Sequence, residues 1–241
     1  MKVSVIIPAF NEERVLGETL RHVRAALTAF AGRGWDAEII VCDNNSTDDT
    51  GELARAAGVT VVFDPENQIA RARNCGAAAA TGDWLVFVDA DSHPSAELFA
   101  DMAGQIEAGH CLAGGSTIRL DIPERLPCIL VRLWNWTSRV THWMAGSFIF
   151  CDATAFRRIG GFSQELFASE DIELSGRLKK LARAESRKIV ILHHHPLVTS
   201  ARKIHLYTVG EHLRFLAKTI LGGGQALTDR EVCHTWYDGR R

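Results

Sequence analysis

Apolar positions along the first ninety residues switch between two repeats. Val3 to Ile7, Ala37 to Cys42, Val59 to Phe63 and Trp84 to Val88 are short, nearly continuous apolar runs. Such runs suit strands covered on both faces. Between the first two, Leu16, Leu20, Val23, Leu27 and Phe30 recur every three or four positions, one face of a helix. Ser46, followed three residues later by Asp49, resembles a capping box opening a second helix that stops near Gly58. Residues 67–81 predict an alanine-rich third helix that Gly82 ends, with Ala70, Gly76 and Ala77 permitting close contact with a sheet. Alternating strands and helices predict a parallel sheet with right-handed crossovers, a Rossmann-like nucleotide-binding half.

Beyond residue 91 the pattern loosens. Leu98, Met102 and Ile106 mark a helix, and Cys111 to Leu120 reads as a strand. Residues 121–145 hold two prolines and Trp134, Trp136 and Trp143 without a single clear period. Gly146 to Cys151 and Ile189 to Leu192 read as strands, Asp171 to Leu181 as a helix, and about His205 to Leu221 as a last amphipathic segment. With no repeat, low-complexity tract or linker, the expectation is one continuous domain: a nucleotide-binding half over 1–110 and an acceptor-binding half over 111–241.

Composition narrows the classes. A net charge of −2 gives no electrostatic reason for a nucleic-acid partner. No apolar run approaches the roughly 18 residues of a membrane span, and Met1 to Pro8 reads as a strand rather than a leader. A cytoplasmic protein, with at most peripheral membrane contact, is the expectation. The six cysteines are scattered without a Cys-x-x-Cys pair and read as buried thiols.

Candidate chemistry gathers at the ends of the expected strands. Leu85 to Asp91 runs from apolar residues into two carboxylates one residue apart. Asp89 and Asp91 should emerge at the strand's C-terminal end, where open α/β sheets bind ligands and two hard oxygen donors can hold a divalent cation against a diphosphate. A strand-to-helix turn explains the same residues, since Asp91, Ser92 and Ser95 suit turns and caps. Phe10 after the first strand and Asp43 after the second suit a flat heterocycle, one lying on the ring and the other accepting from its N–H. Packing of Phe10 on Leu16 and helix capping by Asp43 are the alternatives. There is no Gly-x-Gly-x-x-Gly after the first strand and no phosphate-binding Gly-x-x-x-x-Gly-Lys loop, so a dehydrogenase and a P-loop ATPase are disfavoured.

Taken in order, Pro8-Ala9-Phe10-Asn11-Glu12, Asp43 to Thr50, Ala72-Arg73-Asn74-Cys75-Gly76 and Asp89-Ala90-Asp91 resemble the family-two glycosyltransferases of GT-A fold. Ala145-Gly146-Ser147, Ile159 to Phe162 and Ser169-Glu170-Asp171 extend the resemblance over about residues 3–202. It implies an α/β GT-A fold, a Rossmann-like mostly parallel central sheet flanked by helices with an acceptor-side half packed on it. It further implies that Pro8, Phe10, Glu12 and Asp43 hold the nucleoside and that Arg73 lies near the base or diphosphate. Asp89 would lie near the ribose and metal, and Asp91 would ligate Mg²⁺ or Mn²⁺. Asp171 would be the catalytic base, favoured as the anion at a helix N-terminus, with Glu170 shaping the acceptor site.

The implied reaction moves a sugar, with inversion, from a nucleoside-diphosphate sugar to an acceptor hydroxyl, in cell-surface glycan or glycolipid synthesis. A UDP-sugar is the default donor, and a lipid-linked acceptor is one option. Phe10 stands where the family often has tyrosine, and no Gln-x-x-Arg-Trp follows the base, which argues against a processive polysaccharide synthase. Arg202 is a candidate for closing over the diphosphate. His195, in His193-His194-His195, is a candidate third metal ligand, because alternate strand residues share a face. The rivals are a sugar nucleotidyltransferase and a catalytically silent nucleotide-sugar-binding protein.

Overall fold

The computed structural model describes residues 1–122 and 125–201. Eight strands form one sheet in these residues: β1 (Lys2–Ala9), β2 (Asp36–Asp43), β3 (Thr60–Phe63), β4 (Trp84–Val88), β5 (Ser92–His93), β6 (Cys111–Leu120), β7 (Phe148–Asp152) and β8 (Lys188–Thr199). Their order is β3-β2-β1-β4-β7-β6-β8-β5. β1, β2, β3 and β4 pair in parallel, as the strand-helix alternation predicts. β7 then runs antiparallel between β4 and β6, so the sheet continues across residue 110.

Seven α-helices among the described residues flank it: α1 (Leu16–Leu27), α2 (Thr50–Ala56), α3 (Ile69–Ala79), α4 (Ala96–Glu107), α5 (Arg125–Thr141), α6 (Ala153–Arg158) and α7 (Glu170–Ala184). Strand period fixes which face each residue serves. Trp84, Val86 and Val88 of β4 join α1 and α4 residues such as Leu20, Val23, Phe99 and Met102 in one apolar layer. Leu85 and Phe87 join Ala70 and Ala77 of α3, Phe156 of α6 and Leu174 and Leu178 of α7 in the other. A strand buried on both sides has no polar face, which is why these runs read as continuous. The expected close seat of α3 is present, since a Cβ on Gly76 would lie 2.5 Å from Ile6 Cγ2.

Several expectations need correction. Gly82 does not end α3, whose C-cap is the extended Ala80. Gly82 instead lets the chain pass β1, where an added Cβ would meet Ser4 N at 2.7 Å. The patternless stretch after residue 121 contains the 17-residue helix α5. Pro127 sits in its first turn, where a missing N–H breaks no intrahelical bond. Its apolar stripe of Ile129, Leu133, Trp136 and Val140 faces outward, each about 60% exposed. Its inward side is polar: Asn135 Oδ1 accepts from Ile118 N–H at 3.0 Å and its Nδ2 donates to Ile118 O at 2.8 Å, while Ser138 is fully buried.

The histidine run also departs from a regular strand. Ser116 pairs with Leu192 but Ile118 pairs with Leu197, so residues 193–196 bulge opposite Thr117 alone. Pro196 offers no N–H to a ladder. The face alternation expected of His193 and His194 is lost, and their ring centroids lie 4.4 Å apart. Cys42, Cys111 and Cys151 are buried free thiols, while Cys75 and Cys128 are free and half-buried. Cys233 and the amphipathic segment near His205 to Leu221 lie outside the described residues.

Candidate active site

The loops at the C-terminal ends of β1, β2 and β3 are tied to one another by polar side chains. Asn11 and Asn45 adopt left-handed φ values of 53° and 66°, a region asparagine enters more readily than most residues. Asn11 Oδ1 accepts from Thr47 N–H at 2.8 Å, and Asn11 N–H donates to Ser46 Oγ at 3.0 Å. Glu12 N–H donates to Thr50 Oγ1 at 2.8 Å. The Ser46 hydroxyl is thus engaged by Asn11, and the expected capping box does not form: α2 starts at Thr50. Asn44 reaches the third loop, donating to Glu66 O at 2.7 Å and accepting from Gln68 N–H at 2.8 Å.

Within this frame Phe10 is half-buried, while Pro8, Glu12 and Asp43 are buried. Asp43 Oδ1 accepts from Ser46 N–H at 3.0 Å, and its Oδ2 lies 2.5 Å from where a Cβ on Gly51 would stand. Its carboxylate therefore holds the loop that leads into α2 without capping that helix, whose N-cap residue is Asp49.

Asp89 and Asp91 leave β4 as expected. Asp89 N–H donates to Ser147 O at 3.3 Å, and Asp91 O accepts from Ser200 N–H at 3.1 Å. Thr19 Oγ1 of α1 donates to Ala90 O at 2.7 Å and holds the turn from the other side. Asp91 is 5% exposed, and the Asp89 side chain is 20% exposed. Asp89 Oδ2 accepts no hydrogen bond among the described residues. Carboxylate oxygens at a strand end suit Mg²⁺ or Mn²⁺, which typically take one or two protein carboxylates together with substrate phosphates and water.

Arg73 joins that strand end to α7. Its Nη2 donates to Asp89 Oδ1 at 3.0 Å and to Gly146 O at 3.1 Å, and its Nη1 donates to Glu170 Oε1 at 2.6 Å. Its Cζ lies 5.2 Å from the centroid of the Phe162 ring. Burial disfavours the cation, but Asp89, Glu170 and Asp171 outweigh it and raise the arginine pKa. Arg73, expected to lie near the base or diphosphate, is 1% exposed and bonded to Asp89 and Glu170. Arg71 is set apart, paired with Asp64 at 3.2 Å and Glu66 at 3.4 Å.

Asp171 stands in the first turn of α7 with Oδ2 accepting from Gly146 N–H at 2.8 Å. Burial is the main influence on its pKa and adjacent Glu170 the second; together they outweigh Arg73 and push it up to about 6. The Ile172 N–H at the helix start, donating to Asp171 Oδ1 at 2.8 Å, does favour the anion as the sequence suggested, but burial and Glu170 outweigh it. Gly146, noted in the sequence only as part of a motif, serves both sides: its carbonyl meets Arg73 and its N–H meets Asp171. A Cβ there would lie 2.8 Å from Arg73 Nη2. Phe162 was likewise assigned no role. Asn74 clamps it, accepting from Phe162 N–H at 2.9 Å and donating to Phe162 O at 2.8 Å.

His195 is not brought to this group. Its Nδ1 lies 3.0 Å from Asp101 Oδ2 on α4, and it precedes by four residues the Thr199 that pairs with Ser92. Arg202 lies outside the described residues. The preceding Ala201 is anchored by its N–H to Asp121 Oδ1 at 2.8 Å. Trp134 and Trp143 are half-buried and Trp136 is 64% exposed.

Residues 4–156 match the sequence model of glycosyl transferase family 2. An uncharacterized glycosyltransferase of Mycobacterium tuberculosis is 33% identical over 138 residues, 57% of this chain and 55% of that protein. The chain thus spans about half the length of that curated relative. Among solved structures, Staphylococcus aureus TarS 1–349 in complex with UDP-GlcNAc superposes with a TM-score of 0.67 at 21% identity, covering 98% of this chain and 69% of TarS. Glucosyl-3-phosphoglycerate synthase from Mycobacterium tuberculosis, in complex with Mn²⁺, UDP and phosphoglyceric acid, gives 0.60 at 19% identity, covering 96% and 78%. At these identities the structural likeness is one of fold.

Replacing Arg73 by alanine strands three acidic groups in or beside a buried site. The expected loss is about 3–5 kcal/mol of unfolding free energy, read by urea titration with circular dichroism. A loss under about 1 kcal/mol contradicts a buried cluster balanced by this guanidinium.

Proposed function

Because the chain belongs to glycosyl transferase family 2 and has the GT-A fold, we propose that it is an inverting, metal-dependent glycosyltransferase that moves a sugar from a nucleoside-diphosphate sugar to an acceptor hydroxyl. The observation that supports this reading is the Arg73 bridge from Asp89 to Glu170, which joins the end of β4 to the start of α7. Residues 1–110 hold the sugar donor, and the half beginning at 111 supplies the base and the acceptor side. A UDP-sugar is the donor of choice, in keeping with the UDP-GlcNAc and UDP complexes of TarS and glucosyl-3-phosphoglycerate synthase.

In the proposed reaction the acceptor oxygen attacks the anomeric carbon from the face opposite the diphosphate. The bond from that carbon to the diphosphate oxygen breaks, and the nucleoside diphosphate leaves with the electron pair. The hydroxyl proton passes to the Asp171 carboxylate. Glu170, held by Arg73, keeps the start of α7 in place beside the acceptor. Asp91 and Asp89 would hold a divalent cation, which when bound would neutralise charge on the departing diphosphate. Phe10 lies against the base, Pro8, Glu12 and Asp43 fix the loops around the nucleoside, and Arg202 closes on the diphosphate. Arg73 acts through the carboxylates it positions.

A lipid-linked acceptor at an anionic membrane surface fits α5. Ile129, Leu130, Leu133, Trp136 and Val140 are exposed on it, Arg132 and Arg139 are exposed among them, and its sequence has no Asp or Glu. An apolar stripe bordered by cations is the pattern of a helix lying in a membrane interface. No helix among the described residues is long and apolar enough to cross one.

Two outcomes are expected. Turnover should rise with pH through an acidic limb near 6, because the base must be ionised, and Asp171→Asn should abolish turnover while sugar-donor binding persists. The stability linkage has the opposite sign. The raised pKa favours the protonated fold, so the contribution of Asp171 is complete below the ordinary aspartate range near 4 and is lost as pH rises through about 6. Denaturation across that window should be flatter for Asp171→Asn, and a pH-independent rate or a product of retained configuration contradicts the assignment. Separately, the protein should co-sediment with phosphatidylglycerol vesicles and not with phosphatidylcholine ones, and Trp136→Glu should weaken this about tenfold. Equal partitioning of wild type and variant contradicts membrane docking by α5.

A further inference from the structure

Away from the proposed site, α1 and β5 bring together two imidazoles and a carboxylate. Glu18 and His22 stand one turn apart on α1, where side chains four residues apart are neighbours, with Glu18 Oε1 and His22 Nε2 4.0 Å apart. His93 of β5 stacks on His22 at 4.6 Å between ring centroids and 17° between planes. One ligand atom from each of the three residues lies within 4.8 Å of the other two, and this is the only such His/Cys/Asp/Glu group of three among the described residues. Glu18 and His22 are exposed and His93 is half-buried. The side chains are therefore free to close by the one to two ångströms that bonds of about 2.0–2.1 Å require.

The ligand set differs from that of the Asp89–Asp91 pair. Carboxylates alone favour Mg²⁺ or Mn²⁺, whereas imidazole nitrogens favour Zn²⁺, Ni²⁺ or Cu²⁺. Location gives the cluster a consequence. Thr19, between the two α1 ligands in the chain, already holds Ala90 O, and His93 follows Asp91 by two residues. We propose that Glu18, His22 and His93 bind one zinc-class divalent ion, which clips α1 to β5 across the Asp89-Ala90-Asp91 turn. Its three ligands are separate from the residues assigned to the transfer reaction and from the cation on Asp91.

Co²⁺ titration of the untagged full chain, followed by visible d–d absorption, tests the assignment, with Zn²⁺ as competitor. One equivalent should bind, Zn²⁺ should displace it, and His22→Ala and His93→Ala should each weaken binding at least about tenfold, since even outer partners of a ligand are worth 10–100-fold. Asp91→Asn and a variant with alanine at 193, 194 and 195 should retain it. Zn²⁺ should raise the melting temperature of the wild type but not of His22→Ala, and circular dichroism checks that each variant is folded. Binding that survives His22→Ala, that disappears with Asp91→Asn or with the triple replacement, or that is absent from the wild type overturns the proposal.

Discussion

One buried guanidinium holds this architecture's chemistry in register. Arg73 is 1% exposed and donates to Asp89 at the end of β4, to Glu170 at the start of α7 and to the carbonyl of Gly146 between them. An unpaired cation there would be intolerable, and so would the carboxylates without it. The requirement is mutual: the strand end and the helix start cannot separate without exposing or stranding charge. The same packing places Asp171 where burial and Glu170 raise its proton affinity. A carboxylate whose pKa approaches the working pH is a stronger base than an ordinary aspartate.

Three nearby residues of α3 divide the labour. Arg73 holds the acidic groups, and Asn74 clamps Phe162, whose ring lies against the guanidinium. Gly76 lets the helix sit on Ile6 of β1. The loop Asn74 grips is equally constrained: Gly161 has φ of +70°, and a Cβ there would stand 2.5 Å from Asn74 Oδ1. Helix seat, loop and charge centre are thus one packing unit, and a shift in any of them reaches Asp89. The loops after β1 and β2 add a second unit, in which Asn11 bonds Ser46 and Thr47 while Thr50 Oγ1 accepts from Glu12 N–H.

Strands β1 and β4 were legible because cover on both faces leaves nearly uninterrupted apolar runs, and Trp84–Val88 matches its sequence range. β3 also reads as an apolar run but lies at the sheet edge with Thr60 and Phe63 exposed. The order of motifs also pointed to the family whose sequence model matches residues 4–156. Helix α5 was missed because Pro127 masks its start, although Ile129, Leu133, Trp136 and Val140 recur at helical spacing. His193 to Pro196 misled because a bulge cancels strand alternation. Ser46 and Asp49 misled because the serine hydroxyl serves a neighbouring loop. Gly146 and Phe162 act through a backbone carbonyl, a backbone N–H and a ring face, none of which a residue name discloses. Arg73 was noticed as a charge, but its partners Asp89 and Glu170 lie 16 and 97 residues away in sequence and only the fold brings them together.

The central claim, that Arg73 couples the end of β4 to the start of α7, is tested most directly by a double-mutant cycle on unfolding free energy. Asp89→Asn and Glu170→Gln are measured singly and together, with Arg73 present and with Arg73→Met. With arginine in place the two substitutions should be non-additive by about 1 kcal/mol or more, and the coupling should fall below about 0.5 kcal/mol once the guanidinium is gone. Additivity in both backgrounds contradicts the account.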